Sequence, residues 1–145
     1  MTLETAIDIE AAPESVWAAL TDVESWPKWT PSMTFVQRLD GGELALGSQA
    51  RIHQPRLPEL VWTVTALQPG RSFTWQAQSA GVKTAGDHEV AAPGGGRVRL
   101  IVSIRQTGPL AALVGLLTAR QTRRYLSLEA AGFKRCCEQA AAAAA

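Results

Sequence analysis

Between Met33 and Gln106 the chain carries turn-forming residues at intervals of 11 to 14 positions, and after Gly108-Pro109 that rhythm stops. Gly41-Gly42, Pro55 to Pro58, Pro69-Gly70, Ala80-Gly81 and Pro93 to Gly96 all supply the residue types that tight reversals need. They bound six candidate strands, near 33–40, 47–54, 59–68, 71–79, 82–92 and 96–106. Connections this short join antiparallel neighbours, because a parallel crossover needs about a dozen residues or more. From Leu110 the apolar period becomes helical, with Leu110, Leu113, Val114, Leu117, Gln121, Leu128 and Gly132 near one stripe. The run can continue to about Gln139, roughly 45 Å. A helix of that length must lie across the face of a small sheet.

The N-terminal segment adds a seventh strand and two short helices. Leu3, Thr5, Ile7 and Ile9 alternate with Glu4, Ala6, Asp8 and Glu10, the pattern of a half-buried strand. Pro13 suits a first helical turn, and Val16, Trp17 and Leu20 give that helix an apolar face. A second brief helix, Asp22 to Trp29, opens on an aspartate cap and stops before Thr30-Pro31. The expected fold is α+β: a seven-stranded curved antiparallel sheet, two short helices after strand 1, and a long C-terminal helix over an internal cavity. A curved sheet and a straight helix cannot touch along their full lengths, and the gap is where a ligand fits. One domain spans 1–139, followed by an Ala-rich tail at 140–145 that is frayed or helical.

Fourteen Lys and Arg balance thirteen Asp and Glu, so no overall field favours nucleic acid as a partner. The local cluster Arg120, Arg123 and Arg124 is expected on a solvated helix face, with Arg120 and Arg124 pairing with Glu129 at the surface. Adjacent Cys136 and Cys137 point apart on a helix and predict no disulfide. The two histidines, His53 and His88, stand in no metal-ligand spacing, so neither a metal site nor a cofactor is expected. Residues Met1 to Glu10 lack the basic and apolar regions of a secretory signal, and Leu110 to Leu117 is too short to span a bilayer. A cytoplasmic location without a membrane span follows as the expectation, while the oligomeric state leaves no mark in the pattern.

Taking the more apolar series of each strand as inward points Gln54, Trp62, Trp75, His88, Val90 and Val102 toward the cavity. Trp62 and Trp75 offer flat surfaces with an indole N–H as a polar handle, or else simply fill core. Trp26 and Trp29 are expected near the entrance, gating it or stapling the short helices to the sheet. Leu113, Leu117 and Gln121 are expected to line the cavity from the helix, and Gln54 to meet a ligand carbonyl. His88 titrates near neutrality and Tyr125 carries a hydroxyl donor, so these two are the catalytic candidates. Asp87 faces away from its neighbour His88, so no His–Asp relay follows. Ser15 and Ser127 lack a base and an orienter, which leaves nucleophilic catalysis unsupported.

The element order, the opening Ile9-Glu10-Ala11-Ala12-Pro13-Glu14-Ser15-Val16-Trp17, and the later Trp26-Pro27-Lys28-Trp29-Thr30-Pro31 resemble the polyketide cyclase/dehydrase-like branch of the START/Bet v 1 (SRPBCC, helix-grip) superfamily. Gly47-Ser48, Gly86-Asp87-His88-Glu89-Val90 and Gly108-Pro109-Leu110 also look like that group's pattern. The resemblance implies a ligand cavity entered near the short helices. It covers both carriers of hydrophobic metabolites and aromatase/cyclases, and the latter commonly use an inward arginine on a middle strand. Here that strand, Val61 to Leu67, has none. The expected function is binding of a polyketide, isoprenoid or lipid-like molecule as a carrier, with a cyclase or dehydratase-like enzyme as the alternative.

Overall fold

In the computed structural model, which describes residues 2–144, the opening alternation forms strand β1 (Thr2–Ile9). Helix α1 (Pro13–Thr21) follows with proline in its first turn, burying Val16 and Leu20. The next segment is a 3-10 turn, Val23–Lys28, because Pro27 inside it denies an α-helix one of its hydrogen bonds. Asp22 does not cap a backbone N–H there; its carboxylate accepts from the Ser25 hydroxyl at 2.7 Å.

Strands β2 (Phe35–Arg38), β3 (Gln49–His53), β4 (Leu60–Gln68), β5 (Ser72–Ser79), β6 (Val82–Gly94) and β7 (Arg97–Thr107) complete one antiparallel sheet in the order β1-β7-β6-β5-β4-β3-β2. The first of these is shorter than expected because Ser32 and Met33 turn inward and are buried before the chain reaches the sheet edge. A register shift between Val64 and Ala66 opposite β5 leaves one extra residue in β4, the kind of bulge that bends a sheet. The inward series is as alternation predicts: Ala50, Ile52, Trp62, Phe73, Trp75 and Leu100 are all buried. On the other face Asp87 accepts from Arg105 Nε at 2.7 Å and Thr74 Oγ1 at 2.6 Å, well apart in role from His88.

Helix α2 (Ala111–Ala144) is 34 residues long and packs mainly over β1 and β7. The alanine tail continues it through Ala144, as the best helix former should, and Ala145 lies outside the described residues. Its second half is clamped: Lys134 donates to the Asp8 carbonyl at 2.8 Å and to Glu138 at 2.7 Å, while Glu138 accepts from the Glu10 N–H at 2.8 Å. Leu126, Ala130, Phe133 and Cys137 are buried beneath that clamp.

This corrects the stripe expected from the leucines. Leu113 and Leu117 are exposed. Leu117 and Leu126 are nine residues apart, about two and a half turns, so one rigid helix turns them to opposite faces. The clamped half, with Phe133 and Leu126 in the core, decides which face goes inward.

Candidate functional site

The first half of α2 stands off the sheet, leaving a cavity of about 200 Å³ above the inner faces of β3 and β4. Ile52, Leu60, Trp62 and Ile104 form its sheet wall and Val114 and Leu126 its helix wall; Gln54, Gln121, Tyr125 and Glu129 put polar groups among them. Leu57 and Pro58, from the β3–β4 loop, complete one rim. Tyr125 ties that loop to the helix, since its hydroxyl donates to the Pro55 carbonyl while Gln121 Nε2 donates to the Tyr125 oxygen at 3.3 Å. The phenol is thereby engaged as a strap. Tyr125→Phe is expected to cost about 1 kcal/mol and to speed amide exchange at 56–57, readable by urea titration and hydrogen exchange; unchanged exchange there would refute the strap.

Behind this cavity lies a smaller chamber of about 40 Å³, above the roughly 10–15 Å³ that one water needs. Ile52, Gln54, Trp62, Ile104, Leu126 and Glu129 border both spaces, so the two are separated only by side chains. Trp26, Trp75 and His88 close the inner end. Trp26 is fully buried at the centre of an aromatic cluster, with ring centroids 5.3 Å from Trp75, 5.4 Å from His88 and 5.4 Å from Phe133. Gly86 makes room for Trp75: a Cβ there would sit 3.2 Å from the indole Nε1.

The chamber's titratable groups are buried in opposite senses. Burial pushes the Glu129 carboxyl up to about 8, opposed in part by the Ser32 hydroxyl. Burial takes His88 down to about 4, opposed by the Phe73 backbone and the Asp87 charge. Near neutrality Glu129 is a protonated acid able to donate, and His88 is a neutral imidazole stacked 4.5 Å from Phe73. Among the described residues, Trp26 Nε1 has no hydrogen-bond partner. No Lys or Arg among the described residues lines either space. The site is mainly apolar, uncharged near neutrality, and carries an unspent indole N–H at its inner end.

The structure thus brings Gln54, Trp62, Gln121 and Tyr125 to the outer cavity and Trp26, Trp75, His88 and Val102 to the inner one. Val90 is packed core outside both, paired with Leu100. Trp29 does not gate the cavity; it packs 4.0 Å from Phe133 on the far side and staples the 3-10 turn to α2. Leu113 and Leu117 face outward. Glu129 is the residue that sequence reasoning misplaced: it is buried against the cavities and not paired with Arg120 and Arg124, which are exposed. Its position three residues after Leu126 and four before Phe133 puts it on their face, a signal that anchoring the helix on those two residues would have read. Among the described residues, His, Cys, Asp and Glu form no group of three that could hold a metal ion.

A family model described as polyketide cyclase / dehydrase and lipid transport matches residues 1–138. No curated protein matches the chain. Among solved structures, a START superfamily protein from Mycobacterium smegmatis is similar at 16% identity and TM-score 0.73, over 95% of this chain and 97% of that one. A hypothetical protein from Helicobacter pylori superposes with TM-score 0.80 at 12% identity, over 94% and 88%. The Zhui aromatase/cyclase from a Streptomyces species does so with TM-score 0.69 at 16% identity, over 93% and 94%. These identities show the fold, the START/Bet v 1-like helix grip.

Proposed function

Because the chain belongs to the polyketide cyclase/dehydrase and lipid transport family, we propose that it binds a neutral hydrophobic small molecule, polyketide, isoprenoid or lipid-like, as a carrier. The hydrocarbon part occupies the outer cavity and one oxygen-bearing end reaches the inner chamber. The observation that carries this reading is a cavity of about 200 Å³ with a mainly apolar wall that ends on an uncharged Glu129. That space exceeds the ~150 Å³ cavity known to accept benzene. Apolar burial supplies affinity and Glu129 orients the oxygen.

Calorimetric titration with octane, octanol and octanone tests it. All three are expected to bind, the two oxygenated probes about five- to tenfold more tightly, as one hydrogen bond to a buried donor gives. Glu129→Leu should erase that preference while keeping octane binding, and a Trp in place of Thr118, which lines the outer cavity from α2, should fill it and abolish binding of all three (Thr118→Trp). Failure of every probe to bind the wild type would overturn the reading.

The raised Glu129 value also favours a second reading, dehydration of a β-hydroxy ketone. Protonated Glu129 would give its proton to the departing hydroxyl as the Cβ–O bond breaks, and neutral His88 would take the Cα proton as the C=C bond forms. Glu129→Gln that binds octanone normally but loses all turnover of a hydroxyoctanone would support the enzyme over the carrier.

A further inference from the structure

The first half of α2 carries an exposed surface that the cavity does not explain. Leu110, Leu113, Leu116 and Leu117 are 44%, 56%, 76% and 74% exposed. Positions 113, 116, 117, 120 and 124 fall at the three- and four-residue spacing of one helix face, so the leucines run directly into exposed Arg120 and Arg124, with exposed Arg123 beside them. None of the three arginines has an ion-pair partner among the described residues, and from Val90 through Leu128 the sequence contains no Asp or Glu. The same turns, on their other side, line the outer cavity through Val114, Thr118 and Gln121.

We propose that this face of α2 docks on an anionic lipid surface, the leucines entering the acyl boundary and Arg120, Arg123 and Arg124 meeting lipid phosphates. A contiguous exposed apolar patch of this size marks an interaction surface, and arginines in the next turns can reach lipid phosphates while their stems lie along the apolar boundary. Charge decides between occupants. A second copy of the chain would bring the same arginines and, in this segment, no carboxylate to pair with them, whereas phosphate groups complement all three. Lying flat, the helix would place the cavity-lining turns beside the lipid from which an apolar ligand enters or leaves. Docking itself does not require the cavity to be filled.

The test is co-sedimentation of the full chain with vesicles of phosphatidylcholine alone and of phosphatidylcholine mixed with phosphatidylglycerol. Partition onto the anionic vesicles only, weakened by added salt, is expected. Leu116→Ser/Leu117→Ser and Arg120→Gln/Arg124→Gln should each lower the partition coefficient by about tenfold or more, with melting temperatures and octanol binding unchanged because these side chains face solvent. Absence of partition, equal partition onto neutral vesicles, or insensitivity to both double variants would overturn the proposal. So would a dimer in light scattering that the leucine variant abolishes, since a second copy would then be the occupant. Loss of octanol binding with vesicle partition intact would sink the carrier reading and leave this one standing.

Discussion

Gly132→Ala is expected to destabilise the protein by about 3 kcal/mol, the reverse of the roughly 1 kcal/mol gain that the same change gives in an open helix. A Cβ at 132 would lie 2.4 Å from the Trp29 carbonyl oxygen and 2.8 Å from its ring carbon Cε3, distances at which something must move. The neighbour cannot yield cheaply, because the atom in the way is backbone. Thr30 N–H is bonded to the Trp26 carbonyl at 3.0 Å, Arg135 donates to the Trp29 carbonyl at 3.2 Å, and the Trp29 ring rests on Phe133. Either α2 lifts from the 3-10 turn, uncovering Trp26 and Phe133, or the turn deforms. Gly41→Ala, where nothing lies within 4 Å of the new methyl, is the control and should stay within about 0.5 kcal/mol of wild type. Paired urea titrations read both. A neutral Gly132→Ala would mean that the helix is not pressed against Trp29.

That contact shows where the sequence was legible and where it was not. Strand faces were readable because a period of two leaves no intermediate choice: once Trp62 and Trp75 are inward, Thr63 and Gln76 must be outward. The long helix was readable as an element, from Gly108-Pro109 onward, but not in its rotation. Its leucines are concentrated in the half that stands off the sheet, while the half that sets the rotation is marked by small residues, Ala130 and Gly132, beside a single Phe133. Close approach leaves a weaker apolar signal than bulky burial, so the apolar pattern points to Leu113 and Leu117 and makes Glu129 read as a surface residue. The cavity exists for the same reason. Leu126 and Glu129 sit where α2 begins to part from the sheet, and the side chains that would have filled the gap point to the outside.

Glu129 makes a prediction about pH that needs no ligand. Its carboxyl titrates from 4.5 in the unfolded chain to about 8 in the fold, so between those values the folded state holds a proton that the unfolded state lacks, and its contribution is lost as pH rises. His88 works the other way: it falls from 6.5 to about 4, so between those values the unfolded state holds the extra proton and stability rises with pH. From pH 4.5 to 6.5 the two slopes cancel. Above 6.5 only Glu129 remains, and wild-type stability should fall by about 2 kcal/mol by pH 8. Asp8, Asp40 and Asp87, held below the usual carboxylate range by their hydrogen-bonding partners, add a loss on the acid side. Glu129→Gln keeps the shape and removes the proton. The variant should be flat from 6.5 to 8, more stable than wild type at pH 8 by a few kcal/mol, and should unmask the His88 slope as a rise of about 3 kcal/mol between pH 4 and 6.5. Guanidinium titrations of the two proteins across this range decide the matter. Parallel curves would show that the Glu129 carboxyl is ionised in the fold, and with that the uncharged inner chamber, on which both the carrier and the dehydratase readings depend, would be lost.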